Sequence, residues 1–243
     1  MKRIRYRSDD GTFWGELEGG TVYPLTGLMG SRSGPTLTLS DVTLLAPCSP
    51  KNIVCVGKNY AKHIAEMGGS ADDLPKEPGL FIKSLNTLAD PGDPIPYPSW
   101  TQNLHFEGEL AVVIARTMRD VPEADALSYV LGYTCAVDVT ARDKQRSALQ
   151  WARGKSADGF CPVGPWLETD LDVSAVGVQT RLNGELKQDG TTQDLIFSVP
   201  KVLSYISSFL TLEPGDLVLT GTPDGVGPMG VGDTLEVTVE GIG

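Results

Sequence analysis

Glu107-Gly-Glu-Leu-Ala-Val-Val-Ile-Ala115 is the stretch on which the fold of this chain turns. In an extended chain, side chains alternate between two faces. From Leu110 onward both faces of this run are apolar, the pattern of a central strand covered on each side. Its entry is the reverse: Glu107 and Glu109 stand two residues apart and so project side by side. Like charges on one face repel, and a poorly solvated strand entry makes that worse.

Outward from this strand, Gly132–Val139 (GYTCAVDV) is a second apolar run, with Asp138 near its end. Asn52–Gly57 (NIVCVG) reads as a short buried strand. Asn59–Met67 predicts a helix closed by Gly68-Gly69, and 68–79 is a polar, Gly- and Pro-containing loop suited to a lid. Residues 140–151 predict a short helix. Asn183-Gly184 inside Val176–Lys187 predicts a hairpin. Ser198 suits an N-cap and Pro200 a first turn, for a helix running to about Phe209. Leu217–Gly221 and Thr234–Val239 read as strands. Strands dominate, helices are short, and no βαβ alternation is sustained, so the fold class is β-rich α+β. Residues 1–45 alternate weakly, with turns at Asp9-Asp10-Gly11 and Glu18-Gly19-Gly20, and predict a small N-terminal β-rich domain. Ala46-Pro-Cys-Ser-Pro50 begins the main domain, 46–243.

The whole chain limits what it can do. With 40% apolar and 21% charged residues, its 243 residues have ordinary globular composition. A net charge of −11 and the lack of a basic cluster exclude nucleic-acid binding and disfavour an anionic membrane surface. No run approaches the ~20 apolar residues of a membrane-spanning helix. The basic start, Met1-Lys-Arg-Ile-Arg-Tyr-Arg7, has no apolar run behind it and is no signal peptide, so a cytoplasmic protein is expected. Cys48, Cys55, Cys135 and Cys161 show neither a CxxC pair nor zinc spacing; Cys55 and Cys135 read as core.

Spacing leaves two readings of the acids. Glu107, Glu109 and Asp138 form an oxygen site for a hard cation, or the first two lie on a wet edge while Asp138 caps the next helix. His105 shares the face of Glu107 and Glu109; as a third ligand it would favour a softer metal, and as a neighbour it lies outside the ligand set. His63 and Glu66, three apart on one helix face, form either a general-base pair or an exposed ion pair. Gly225-Val-Gly-Pro-Met-Gly230 matches GxGxxG, but Pro228 interrupts it and a strand follows, so it is not a dinucleotide loop.

Five stretches, in order, resemble the fumarylacetoacetate hydrolase family: GKNYAKHIAEMG (57–68), FEGELAVVIA (106–115), VDVTARDKQ (137–145), GKSADGFCPVGPW (154–166) and TLEPGDLVLTGTPDGVG (211–227). The resemblance implies a mixed β-sandwich-roll core of the family's C-terminal domain type, and Mg²⁺ or Mn²⁺ on Glu107, Glu109 and Asp138. It implies catalytic roles for His63, Glu66 and Lys155, with His63 and Glu66 on a lid. It places Tyr60, Arg142, Gln145 and Thr222 on the substrate, and it implies a homodimer. Residues 51–60 contain no acid to supply the further aspartate ligand of the founding eukaryotic hydrolase, which points to the shorter bacterial branch. The expected reaction is hydrolysis of a C–C bond in acylpyruvates such as fumarylpyruvate or acetylpyruvate. The alternatives are oxaloacetate decarboxylation, isomerisation of 2-hydroxyhepta-2,4-diene-1,7-dioate, and non-catalytic binding of an oxo-acid.

Overall fold

The computed structural model describes residues 1–243, the side chain of Ala71 excepted. The fold is strand-rich and α+β, as the sequence pattern requires. At its centre lies the strand Gly108–Ile114, antiparallel to Val130–Val137 on one side and to Leu217–Leu219 on the other. Every residue of it is buried. Among the described residues there are four short α-helices: α1 (Ala61–Glu66), α2 (Arg142–Ser147), α3 (Ala152–Lys155) and α4 (Val199–Ser207).

Alternation divides the central strand between two cores. Leu110, Val112 and Ile114 pack with Val178, Val239 and the buried face of α4. Ala111 and Val113 pack with Ile53, Cys55, Cys161, Leu217 and Leu219. Full burial of one such aliphatic side chain contributes about 1.5–3 kcal/mol. Leu110→Ala is therefore expected to destabilise the fold by about 2–5 kcal/mol in urea unfolding; a loss below about 1 kcal/mol would mean that this strand is not the packed centre.

The strand starts one residue later than the pattern predicts, because the chain changes sheets at Glu107. Leu104–Phe106 belongs to a separate three-stranded sheet with Thr140–Ala141 and Gly227–Pro228. At the crossing point Gly108 has no room for a side chain, since a Cβ there would lie 2.0 Å from Thr180 Oγ1.

Residues 1–45 hold the expected strands, with Lys2–Ser8, Gly11–Glu18 and Thr21–Leu25 forming a meander over a small core of Ile4, Tyr6, Leu17 and Val22. They do not make a sheet of their own. Lys2 and Arg3 pair with Glu168 and Leu167 of the strand Cys161–Glu168, so this region extends the large sheet of the rest of the chain. The pairing satisfies edge N–H and C=O groups that would otherwise be open.

Local signals fare well. Gly177–Leu182 and Glu185–Thr191 form the hairpin, with Asn183 and Gly184 at φ 52° and 80°, both positive as a tight type I′ turn requires. The Ser198 side chain accepts the Lys201 N–H at 3.4 Å, with Pro200 in the first turn. The helix predicted over 140–151 forms only as α2, Arg142–Ser147, and α3 follows beyond the predicted range. All four cysteines are buried and free. No helix is long and apolar enough to cross a membrane.

Candidate active site

Glu107, Glu109 and Asp138 converge, each offering a carboxylate oxygen within 4.8 Å of the others, and all three are buried. Strand geometry accounts for the first two. Asp138 arrives from the neighbouring strand, just past Val137, which pairs with Gly108. Its N–H donates to the Glu107 carbonyl at 2.8 Å and clamps the two segments together.

Three cations surround the three acids. Lys155 Nζ lies 2.9 Å from Glu107 Oε2 and 2.5 Å from Asp138 Oδ2. Arg142 Nη2 lies 2.5 Å from Glu107 Oε1, and its Nη1 donates to Gln145 Oε1 at 2.7 Å. Lys83 Nζ lies 2.5 Å from Asp138 Oδ1 and also donates to the Val139 carbonyl at 3.2 Å. Sequence reasoning missed Lys83. The only signal for it is a cation closing the strand Gly79–Lys83.

The acids are not equivalent. Burial acts to raise the Glu107 carboxyl, but Lys155 and Arg142 outweigh it and hold the group below the usual range. Burial likewise opposes the Lys155 ammonium, but Asp138 and Glu107 outweigh it and hold the lysine above its usual range. Glu109 accepts the Gly221 N–H at 2.7 Å and, among the described residues, has no cationic side chain paired to it. Burial, then Asp138 and Glu107, push its carboxyl well above the ordinary value. A cluster of hard oxygen donors, one member of which still lacks a counter-charge, fits a hard divalent cation. Three fixed cations stand beside the three acids, so a divalent ion would add net positive charge and suit the site to an anionic ligand.

A cavity of about 550 Å³ is lined by Glu107, Glu109, Arg142 and Lys155 of this cluster, but not by Asp138, and by His63, Gln145 and Thr222. His63 is buried on α1, with Nδ1 3.3 Å from Glu66 Oε2. Glu66 Oε1 in turn accepts the Gly225 N–H at 3.0 Å, which ties α1 to the Gly-rich turn. The Thr222 hydroxyl is already engaged: it donates to the Gly108 carbonyl at 2.8 Å and accepts from Gln188 Nε2 at 2.7 Å. Gln188, a buried side chain that sequence reasoning missed, also accepts the Gly108 N–H at 2.9 Å and so holds the sheet crossing in place.

Two residues stand elsewhere. Tyr60, expected on the substrate, does not line this cavity but a separate one of about 150 Å³, with Asp194 and Pro223. Its backbone bridges to Leu195, and its buried hydroxyl has no hydrogen-bond partner among the described residues. His105 stays out of the carboxylate cluster, with Nε2 2.8 Å from Asn103 Oδ1. Burial, then the neighbouring Arg142, push its pKa down to about 4, so it is neutral near pH 7.

This geometry can be set beside known proteins. The family described as "Fumarylacetoacetate (FAA) hydrolase C-terminal" matches residues 52–243, and "Rv2993c-like, N-terminal" matches residues 1–47. The chain is 49% identical over 214 residues to Protein Rv2993c of Mycobacterium tuberculosis, covering 87% of this chain and 80% of that one. It is 44% identical over 198 residues to the mitochondrial oxaloacetate tautomerase FAHD1 of Homo sapiens, covering 79% of this chain and 88% of that one. The crystal structure of 2-hydroxyhepta-2,4-diene-1,7-dioate isomerase from Mycobacterium marinum superimposes with a TM-score of 0.92 at 42% identity, covering 100% of this chain and 95% of that one. With most of its length matched, and with this fold around a buried carboxylate cluster, the chain belongs to the fumarylacetoacetate hydrolase family.

Proposed function

We propose that this enzyme moves a proton at the carbon beside the keto group of a small 2-oxo acid, as a Mg²⁺- or Mn²⁺-dependent tautomerase or isomerase. The observation that carries the reading is one cavity lined by Glu107, Glu109 and Lys155 and also by His63, whose Nδ1 faces Glu66. A divalent ion held by Glu107, Glu109 and Asp138 would supply Lewis-acid polarisation of the substrate's carboxylate and keto oxygens. Lys155, kept cationic, sets a fixed positive charge where negative charge develops on the keto oxygen. Glu66 faces His63 Nδ1, which favours the tautomer protonated there and leaves Nε2 basic. Nε2 takes the proton from the substrate carbon and returns it to the other position.

Hydrolysis of acylpyruvates, the first expectation from the sequence, becomes the second reading. There the same imidazole activates water against the distal carbonyl. The size of the cavity favours it, since about 550 Å³ holds more than a four-carbon acid. Proton transfer ranks first because it needs only groups already in the cavity, and because the human relative is an oxaloacetate tautomerase.

A panel assay with Mg²⁺ and Mn²⁺ tests the order: enol-to-keto conversion of oxaloacetate against cleavage of acetylpyruvate and fumarylpyruvate. The expected result is a kcat/KM for tautomerisation at least about tenfold above that for cleavage, a gap of about 1.4 kcal/mol in barrier. The opposite ranking makes the chain a hydrolase. Binding of oxalate with no turnover of any substrate makes it a binding protein.

A further inference from the structure

Two cations on the wall of the same cavity take no part in the reaction just described. Lys58 and Arg146 both line it. Arg142 and Lys155 are committed to Glu107 and Asp138, whereas among the described residues no carboxylate is paired with the side chain of Lys58 or Arg146. Asp73, an acid on the same cavity wall, is turned to the Ser70 N–H and hydroxyl, at 2.7 Å and 2.9 Å. Arg146 follows Arg142 by four residues on α2, so the two share a helix face one turn apart. Arg142 reaches the carboxylate cluster, and Arg146 continues the same wall away from it.

Lys58 carries a second mark. Its φ of 59° lies in the left-handed region, where a side chain with a Cβ is strained. Both neighbours hold it there. Gly57 is paired to Gly79 at the end of the strand Ile53–Gly57. Asn59 is buried, its Nδ2 donating to the carbonyls of Phe197 and Thr220 at 3.0 Å and 2.8 Å and its Oδ1 accepting the Phe197 N–H at 2.8 Å. A glycine would make this bend without strain. A long cation stands there instead, at the wall of a site for anions.

We infer that Lys58 and Arg146 receive a second, distal carboxylate, which makes this pair the determinant of specificity for 2-oxo dicarboxylates over 2-oxo monoacids. The inference rests on the reading that the 2-oxo end of the substrate lies at Glu107, Glu109 and Asp138. Matched probes isolate the distal group: 2-oxoglutarate against 2-oxovalerate, and 2-oxoadipate against 2-oxohexanoate, with oxalate as a probe of the cluster end alone. Binding to the Mn²⁺-loaded protein is measured by calorimetry.

The wild type should bind at least one diacid roughly tenfold or more tighter than its monoacid partner, the scale of one charge-assisted hydrogen bond. Lys58→Gln should remove most of that preference and Arg146→Gln part of it, with oxalate and monoacid affinities held within about twofold. Lys58→Gly, which relieves the strained bend, should also lose the preference. A Lys58→Gly variant that keeps it, or a Lys58→Gln variant that weakens diacid and monoacid alike, overturns the assignment. Oxalate binding with no diacid preference in the wild type overturns this proposal alone. Failure of every probe to bind the wild type overturns the functional reading beneath it as well.

Discussion

Glu109→Gln gives a protein that melts higher than the wild type without metal and lower than the wild type with it. Burial, Asp138 and Glu107 raise the Glu109 carboxyl in the folded state above its ordinary value of 4.5. A carboxyl raised on folding leaves stability intact below the unfolded pKa and takes it away as pH climbs toward the folded one. At neutral pH the metal-free wild type therefore carries that loss, and glutamine, neutral throughout, does not. Glutamine also keeps an oxygen for the Gly221 N–H, now at 2.7 Å. The advantage of the variant should shrink as pH falls toward 4.5.

Metal reverses the order. Binding to the folded wild type adds RT ln(1 + [L]/Kd), about 2.7 kcal/mol at a hundredfold excess over Kd, or several degrees in a chain of this size. The variant loses one of its three candidate carboxylates, and its affinity should fall roughly 100-fold or more. Thermal scans from pH 4 to 8, with and without Mn²⁺, show both halves. Unchanged Mn²⁺ affinity sinks the ligand set; a metal-free variant less stable than the wild type sinks the electrostatic account of Glu109.

His63→Ala should leave the Mn²⁺ isotherm unaltered and lower kcat for tautomerisation by about 10²–10⁴-fold, the range for one positioned acid–base group. His63 is part of a helix of only six residues, where alanine is the better helix former, so the fold should persist. Oxaloacetate decarboxylation separates the roles. Loss of CO₂ calls for charge stabilisation at the carboxylate–lysine cluster and not for a base at the neighbouring carbon, so the variant should retain it. Equal loss of tautomerisation and decarboxylation would mean that His63 shapes the cavity and does not move the proton.

Much of this site was readable in one dimension. Glu107 and Glu109 share a face because a strand repeats every two residues, and that holds wherever the strand is placed. The same near-neighbour physics made the Asn183-Gly184 turn and the Ser198 cap legible, since a hairpin or a cap involves only a few successive residues. His63 and Glu66 meet because three residues make nearly one helical turn. Asp138 stood out as an acid near the end of a second apolar run, and the order of five motifs favoured it as a candidate ligand.

Only the tertiary structure decided the partners. Lys83 meets Asp138 across 55 positions of chain, and Asn59 meets Thr220 across 161. No local pattern encodes such pairs, because they follow from which strands lie side by side. The same holds for Tyr60, which bridges to Leu195 and lines a separate cavity, and for the first strand, which joins the large sheet through Glu168 and Leu167 instead of closing a sheet of its own. Lys58 shows the division most clearly. Its charge is plain in the sequence, but its left-handed backbone arises only because Gly57 and Asn59 are anchored to separate parts of the fold. By itself the sequence determined which side chains stand on one face of one element. The packing of distant strands determined which of those charges face each other, since burial makes an unpaired charge costly and only the fold brings a distant partner to it.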